Sequence, residues 1–326
     1  MNFKSIAVRI LNLTPFWLFL LLISTLGCMS DRFLEIQNLT NILIQSSSLA
    51  VAAIGMTFVL LTAGVDLSLG SVMFLAVAVS GKLLFNGYPL WLGIVAGLLV
   101  GLACGAINGW LVVRMQVTAF IATLAMLFIA RGFGLWLTNT RAMNMPDSVT
   151  LLGSSKFLEI PTPVLVMLTV AFGTHLLLTR TAWGRQIYAI GYNREAAQKA
   201  GVNVVMLLML AYVLCGIFAA LGGLIALSQT GAVSPTFGNQ REFAAIAAAV
   251  LGGTSLFGGR GSILPGTLFG AILFQTVENG LVILNADPYL FPIIVSIILF
   301  LAVLVDTARN RLVSRLSHRT ISANSE

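Results

Sequence analysis

A few ionisable and hydrogen-bonding side chains stand inside long apolar stretches of this chain, and they set the possible chemistry. In AAIGMTFVLLTAGVDLSLGS, residues 52–71, Asp66 and Ser68 lie between two apolar runs and are framed by Gly64 and Gly70. A carboxylate so placed either faces a cavity, a partner or water, or caps the helix that starts at LSLG. In VTAFIATLAMLFIARGFGLWLTNT, residues 117–140, Thr118 and Thr123 share a helix with Arg131, and Thr138, Asn139 and Thr140 follow at its end. Hydroxyls and amides converging on a pore can bind a sugar, and Phe120 can stack on its ring; each of them equally serves helix packing or bonds its own backbone. In QTVENG, Glu278 and Asn279 either face a pathway or make an interhelical hydrogen bond.

The elements that must position these groups follow from composition. The chain has 326 residues, 58% of them hydrophobic and 9% charged, with a mean hydropathy of +0.98. A water-soluble domain does not have that balance. A crossing takes roughly 20 mostly apolar residues, and backbone groups in hydrocarbon must be satisfied within a helix or a closed barrel. Strand alternation is absent, so the expected class is all-α: a polytopic integral membrane protein in a lipid bilayer, forming a single transmembrane domain over 1–326. Apolar runs predict about ten transmembrane helices, near 15–31, 43–62, 67–86, 89–113, 117–138, 161–179, 204–228, 243–257, 263–284 and 289–306. The segment 243–257 is short for a crossing and also fits a re-entrant half-helix. The first run, PFWLFLLLISTLGCMS after Lys4 and Arg9, reads as an uncleaved helix in preference to a signal ending at Cys28.

An even number of spans puts both termini on one side, and cytoplasmic loops carry excess Lys and Arg. With the termini inside, that side holds Lys4, Arg9, Arg114, Arg180, Arg185, Arg194, Lys199, Arg260, Arg309, Arg311, Arg315 and Arg319. The other holds Arg32, Lys82, Arg131, Arg141, Lys156 and Arg241. Both termini are therefore expected in the cytoplasm. The net charge of +7 comes from loop ends and a basic tail, about 307–326, placed against anionic headgroups; no soluble domain carries a patch for nucleic acid. The stretch 139–160 is the longest candidate outer loop, with room for a short surface helix.

GYNREAAQKAGVN, residues 191–203, is a polar segment between apolar runs. Asn193 suits an N-cap, Glu195 the first turn, Lys199 the last and Gly201 the position beyond it. Glu195 and Lys199 are also spaced i,i+4. The segment is either a solvated connector or a small helix shaped for a partner's groove.

Enzyme chemistry finds little support. His175 and His318 are the only histidines, the three cysteines Cys28, Cys104 and Cys215 fall singly in apolar runs and read as core residues, and no paired carboxylates occur at helical spacing inside the apolar runs. No metal site or Ser-His-Asp set can be assembled. In REFAAIAAAVLGGTSLFGGRGS, residues 241–262, Gly253 and Gly258 are followed by Gly259 and Arg260, so the Lys-Ser/Thr ending of a phosphate loop is missing. Its small residues and glycine pairs instead favour close helix approach and a sharp turn beside another backbone. A faint similarity links AAIGMTFVLLTAGVDLSLGS to AAAVLGGTSLFGGRGSILPG, as in transporters with repeated halves. On residues alone, an ion-coupled carrier using Asp66, Glu278 or Asp306 remains an alternative.

Taken together, AAIGMTFVLLTAGVDLSLGS, VTAFIATLAMLFIARG, GRQIYAIGYNREAAQKAGVNV, AAIAAAVLGGTSLFGGRGS and ILFLAVLVDT, in order over about 36–307, resemble the permease subunits of bacterial ABC importers for monosaccharides, the ribose-type family. The resemblance implies an inner-membrane protein that pairs with a second copy or a related permease. It implies two copies of a separate cytoplasmic ATPase, which use ATP and Mg, and a periplasmic sugar-binding protein; the chain itself holds no cofactor and no metal. It makes the segment around Asn193, Arg194, Glu195, Ala197, Lys199 and Gly201 the coupling helix to the ATPase. For the monosaccharide pathway it leaves Asp66, Ser68, Thr118, Phe120, Thr123, Asn139, Glu242 and Asn279. The ribose permeases carry an acid two places after the residue matching Glu242; here that place is Ala244, so pentoses, hexoses and furanosyl compounds all stay open.

Overall fold

Apolar runs free of clustered charge become continuous helices in the computed structural model, which describes residues 14–294, 296–298, 300–301 and 304. In chain order these are α1 (Thr14–Met29), α2 (Ile36–Leu61), α3 (Leu69–Phe85), α4 (Leu90–Val113), α5 (Ala119–Thr138), α6 (Asp147–Ser154), α7 (Thr162–Arg180), α8 (Ala182–Tyr192), α9 (Arg194–Lys199), α10 (Val204–Thr230), α11 (Arg241–Leu251) and α12 (Leu268–Ile283). Among the described residues, strand is confined to two-residue pairs, Met143–Asn144 with Ala232–Val233 and Lys156–Phe157 with Ile160–Pro161. The chain is an all-α polytopic membrane protein.

Among the described residues, six helices are long and apolar enough to cross a bilayer: Ile36–Leu61, Leu90–Val113, Ala119–Thr138, Thr162–Arg180, Val204–Thr230 and Ile263–Ile283. Phe19–Met29 and Leu69–Phe85 are shorter apolar helices. The expected crossing at 243–257 is corrected: α11 has 11 residues, about 16 Å of helix, against a hydrocarbon core of about 30 Å. Gly252 and Gly253 stop it early, Gly253 having a φ of +90° that a side chain disfavours. The crossing is completed by non-helical chain. Val233 pairs with Met143 at one end of the bundle, whereas Gly259 N–H donates to the Leu61 carbonyl at the other (2.9 Å), so 231–259 passes from end to end with only its middle, Arg241–Leu251, helical. The expected span at 289–306 and the basic tail extend beyond the described residues, as do Lys4 and Arg9.

Position in the bundle follows from which helices are apolar all round. In α2, 83% of the most apolar window is buried, against 28% in α4, α5 and α7. An all-round apolar helix belongs inside, and the other three turn a face outward. The central contact is α10, 27 residues and about 40 Å long, packed on α4 and α2. On α4, Gly93, Gly97, Gly101, Gly105 and Gly109 recur every fourth residue and are buried. A Cβ at Gly101 would strike the Gly216 carbonyl and sit 2.6 Å from the Ala220 Cβ; one at Gly105 would meet Tyr212 and lie 2.9 Å from the Val213 Cα. Small residues thus let the α4 and α10 backbones touch, the interaction available where lipid removes the hydrophobic drive between helices. Gly101→Leu is expected to overpack this seam by about 1–3 kcal/mol, lowering the thermal midpoint of the detergent-purified chain; an unchanged midpoint would show that the seam can relax.

Exposed tryptophans mark two levels. Trp91 opens α4 and Trp136 closes α5 at one end; Trp110 ends α4 and Trp183 opens α8 at the other, all with exposed rings. Trp91 and Trp110 are separated by about 28 Å of helix, the thickness of a hydrocarbon core, and indole rings favour its two boundaries. The surface helix expected in 139–160 is α6, beside the Trp136 level, with Gly153 against Ser228 of α10. Of the cysteines expected in the core, Cys104 and Cys215 are buried, but Cys28 is exposed because it sits in the last turn of α1, on its outward face.

Candidate functional site

The polar segment 191–203 forms α9, and its caps explain why so short a helix stands alone. Asn193 is extended (φ −157°, ψ 105°) and its Oδ1 accepts from Ala196 N–H at 2.9 Å. At the other end Gly201 takes φ +81°, and Val202 N–H returns to the Ala197 carbonyl (3.1 Å), which closes the helix in a left-handed turn. Asn203 then caps α10 through Met206 N–H (3.0 Å). Glu195 and Lys199 suit the helix dipole; no ion pair joins them among the described residues. Ala197 alone is buried, while Arg194, Glu195, Gln198 and Lys199 face outward. Tyr192, which the motif reading passed over, projects beside them at 89% exposure.

The base under α9 is built from backbone contacts. A Cβ at Gly191 would collide with the Leu61 carbonyl and Gly259 N–H, and one at Gly258 would lie 2.9 Å from Ala63. Tyr188 donates to the Gly261 carbonyl at 2.9 Å, and burial raises its phenol above the ordinary range, so it stays a donor. The glycine pairs of 252–262 thus make the sharp turn beside another backbone that their composition predicts. The two faintly similar stretches also meet here: each is a helix end, a glycine-bearing loop and a new helix, joined by Leu61 to Gly259 and, inside, by Thr57 Oγ1 to Thr267 Oγ1 at 2.7 Å.

Asp66 and Ser68 are buried, at 2% and 0% exposure. Asp66 Oδ1 accepts from Ser68 N–H (2.9 Å) and Ser68 Oγ (2.6 Å), forming a turn immediately before α3. Asn108 of α4 donates to Ser68 Oγ at 2.8 Å and approaches both Asp66 oxygens at 3.5 Å. The three close the connection between α2 and α3 against α4.

Of the other sequence candidates, Glu242 alone comes near the Asp66–Ser68 turn. Thr118 and Phe120 are exposed at the start of α5; Thr123 is buried and bonds the Ala119 carbonyl of its own helix at 2.8 Å; Asn139 is the exposed left-handed residue after α5. Glu242 is buried against Gly70, where the α3 and α11 N-termini meet. Ala244 is buried in α11. Asn279 exchanges two hydrogen bonds with Asn38 of α2, at 2.9 and 3.1 Å. Arg131, within the span, donates to the Phe237 carbonyl at 2.7 Å and lies 4.7 Å over the Phe74 ring. It therefore ties α5 to the non-helical stretch before α11, the kind of partner an arginine at that depth needs.

What does converge is a cavity of about 350 Å³ at the end opposite α9, lined by Gln45, Gln229, Arg241 and Gln275, with Met73 and Phe237 beneath. These polar residues were missed because they are single positions in four different helices. Among the described residues, no group of three or more His, Cys, Asp or Glu side chains could hold a metal.

Residues 38–304 match the family described as branched-chain amino acid transport system / permease component, and the chain belongs to that family of membrane permeases. It is similar to the ribose import permease protein RbsC of Escherichia coli K12, 40% identical over 295 residues, covering 89% of this chain and 92% of the relative. It is also similar to the fructose import permease protein FrcC of Rhizobium meliloti, at 37% identity over 85% of this chain and 80% of the relative. The xylose transport system permease protein XylH of Escherichia coli K12 is 33% identical over 86% and 87%. No solved structure matches the chain.

Proposed function

We propose that this chain is the membrane-spanning subunit of an ATP-driven importer for a monosaccharide delivered by a periplasmic binding protein. The whole chain works as one transmembrane unit in the bacterial inner membrane, paired with a second copy or a related permease, with both termini in the cytoplasm. ATP and Mg belong to a separate ATPase subunit, and α9 is the helix that subunit grips. The observation that carries the reading is the doubly capped, outward-facing α9 at one end of a bundle whose relatives, along nearly their full lengths, are named as sugar permeases. A motor acting on such a helix shifts the bundle only if it binds one orientation better than the other. Backbone contacts between α8, 61–63 and 258–259 supply the route from α9 into α2, α3 and α11.

Purification of the tagged chain from native membranes is expected to bring an ATPase subunit with it, and sugar uptake is expected to stop on ATP depletion but not on uncoupling alone. An ion-coupled carrier would give the reverse response.

A further inference from the structure

The polar cavity has a hydrogen-bonding pattern that selects a class of solute. Gln229 uses its amide nitrogen on the Ile44 carbonyl (2.7 Å) and Ser47 Oγ (3.0 Å), so its carbonyl oxygen remains for a ligand. Gln275 donates to Gln45 Oε1 at 3.2 Å, which leaves the Gln275 oxygen as an acceptor and the Gln45 nitrogen as a donor. Arg241 adds a donor whose charge is offset by Glu278 at 3.6 Å. Phe237 and Met73 give the cavity an apolar floor. Hydroxyl groups both donate and accept, so neutral carboxamides of both polarities suit them. An amino acid zwitterion would need an unengaged carboxylate for its ammonium group, and the Glu278 carboxylate is already paired. The volume lies at the small end of small-molecule sites, ~300–1,000 Å³.

We propose that this cavity is a transient binding station for a neutral polyhydroxyl solute, in which Gln229 and Gln275 accept from hydroxyls, Gln45 and Arg241 donate to them, and Phe237 packs on the C–H face. This rests on the importer reading and adds to it a place and a contact set. Single amides spread over α2, α10 and α12 hold such a solute weakly, which suits a step between delivery and release.

The test is cysteine protection in the complete transporter in cells. Exposed Cys28 is first replaced by Ser, since Cys104 and Cys215 are buried; Gln45→Cys, or Thr230→Cys on the same cavity if the first does not insert, is then labelled with a membrane-impermeant thiosulfonate. D-Ribose, D-fructose or D-xylose at tens of millimolar is expected to slow labelling at least ~3-fold for whichever sugar the cells import, and L-valine to leave it unchanged. Unslowed labelling in cells whose unmutated chain imports one of these sugars overturns the cavity assignment alone. Protection by L-valine overturns the polyhydroxyl class. Absence of import of every sugar by the unmutated chain removes the importer reading, and the station with it.

Discussion

Glu195→Arg combined with Ala197→Asp is expected to abolish ATP-dependent uptake while leaving membrane insertion intact. The structure divides the effect between two faces of α9. Glu195 is exposed in the first turn, where its carboxylate suits the helix dipole; reversing its charge alters the surface that, in the proposed function, meets the ATPase. Ala197 is the residue that seats α9, at 5% exposure, and a carboxylate there has no partner. Burying it costs on the order of 3 kcal/mol, about a hundredfold in the population of seated helix. Because α9 is separated from the spans by its own caps, the loss falls on coupling and not on the bundle. Uptake and membrane abundance, measured together, check this; uptake at the unmutated rate would remove α9 from the mechanism. Glu195→Arg alone is expected to give a smaller loss, since the helix stays seated.

The second large effect is expected at Asp66. Asp66→Ala deprives Ser68 N–H and Ser68 Oγ of their acceptor in a site closed to water, at about 2–3 kcal/mol. The 62–68 connection positions the N-terminus of α3 against Gly238 and Glu242, so its loosening disturbs the meeting of α3 with the broken crossing. The folded yield and the thermal midpoint are expected to fall, with uptake falling in step. Asp66→Asn keeps an oxygen for both donors and is expected to recover most of the loss. Unchanged yield and transport in the alanine variant would make Asp66 a replaceable cap.

These residues also show what a sequence makes legible. The ends of α9 could be read directly, because Asn193 and Gly201 act on backbone groups three residues away. The membrane class was legible for a similar reason: length and apolarity of a run are local properties. The extent of α11 was not, because AAIAAAVLGGTSLF carries no charge across its glycine pair, and an uncharged run does not say where Gly253 turns the chain. The cavity was still less visible. Gln45, Gln229, Arg241 and Gln275 come from four different helices, and only the packing of α2, α10, α11 and α12 makes them one surface. Phe120, singled out for stacking, is exposed on α5, while Phe237 lines the cavity from the non-helical stretch before α11, which no helical periodicity could reveal.

The most direct test is reconstitution with components added one at a time. Purified chain in liposomes, given a sugar gradient and an ion gradient, is expected to accumulate nothing. The same liposomes, with the ATPase and ATP on the α9 face and the loaded binding protein on the other, are expected to concentrate sugar. Accumulation by the chain alone would contradict the account, for it would mean that the driving force is built into this polypeptide and not delivered through α9.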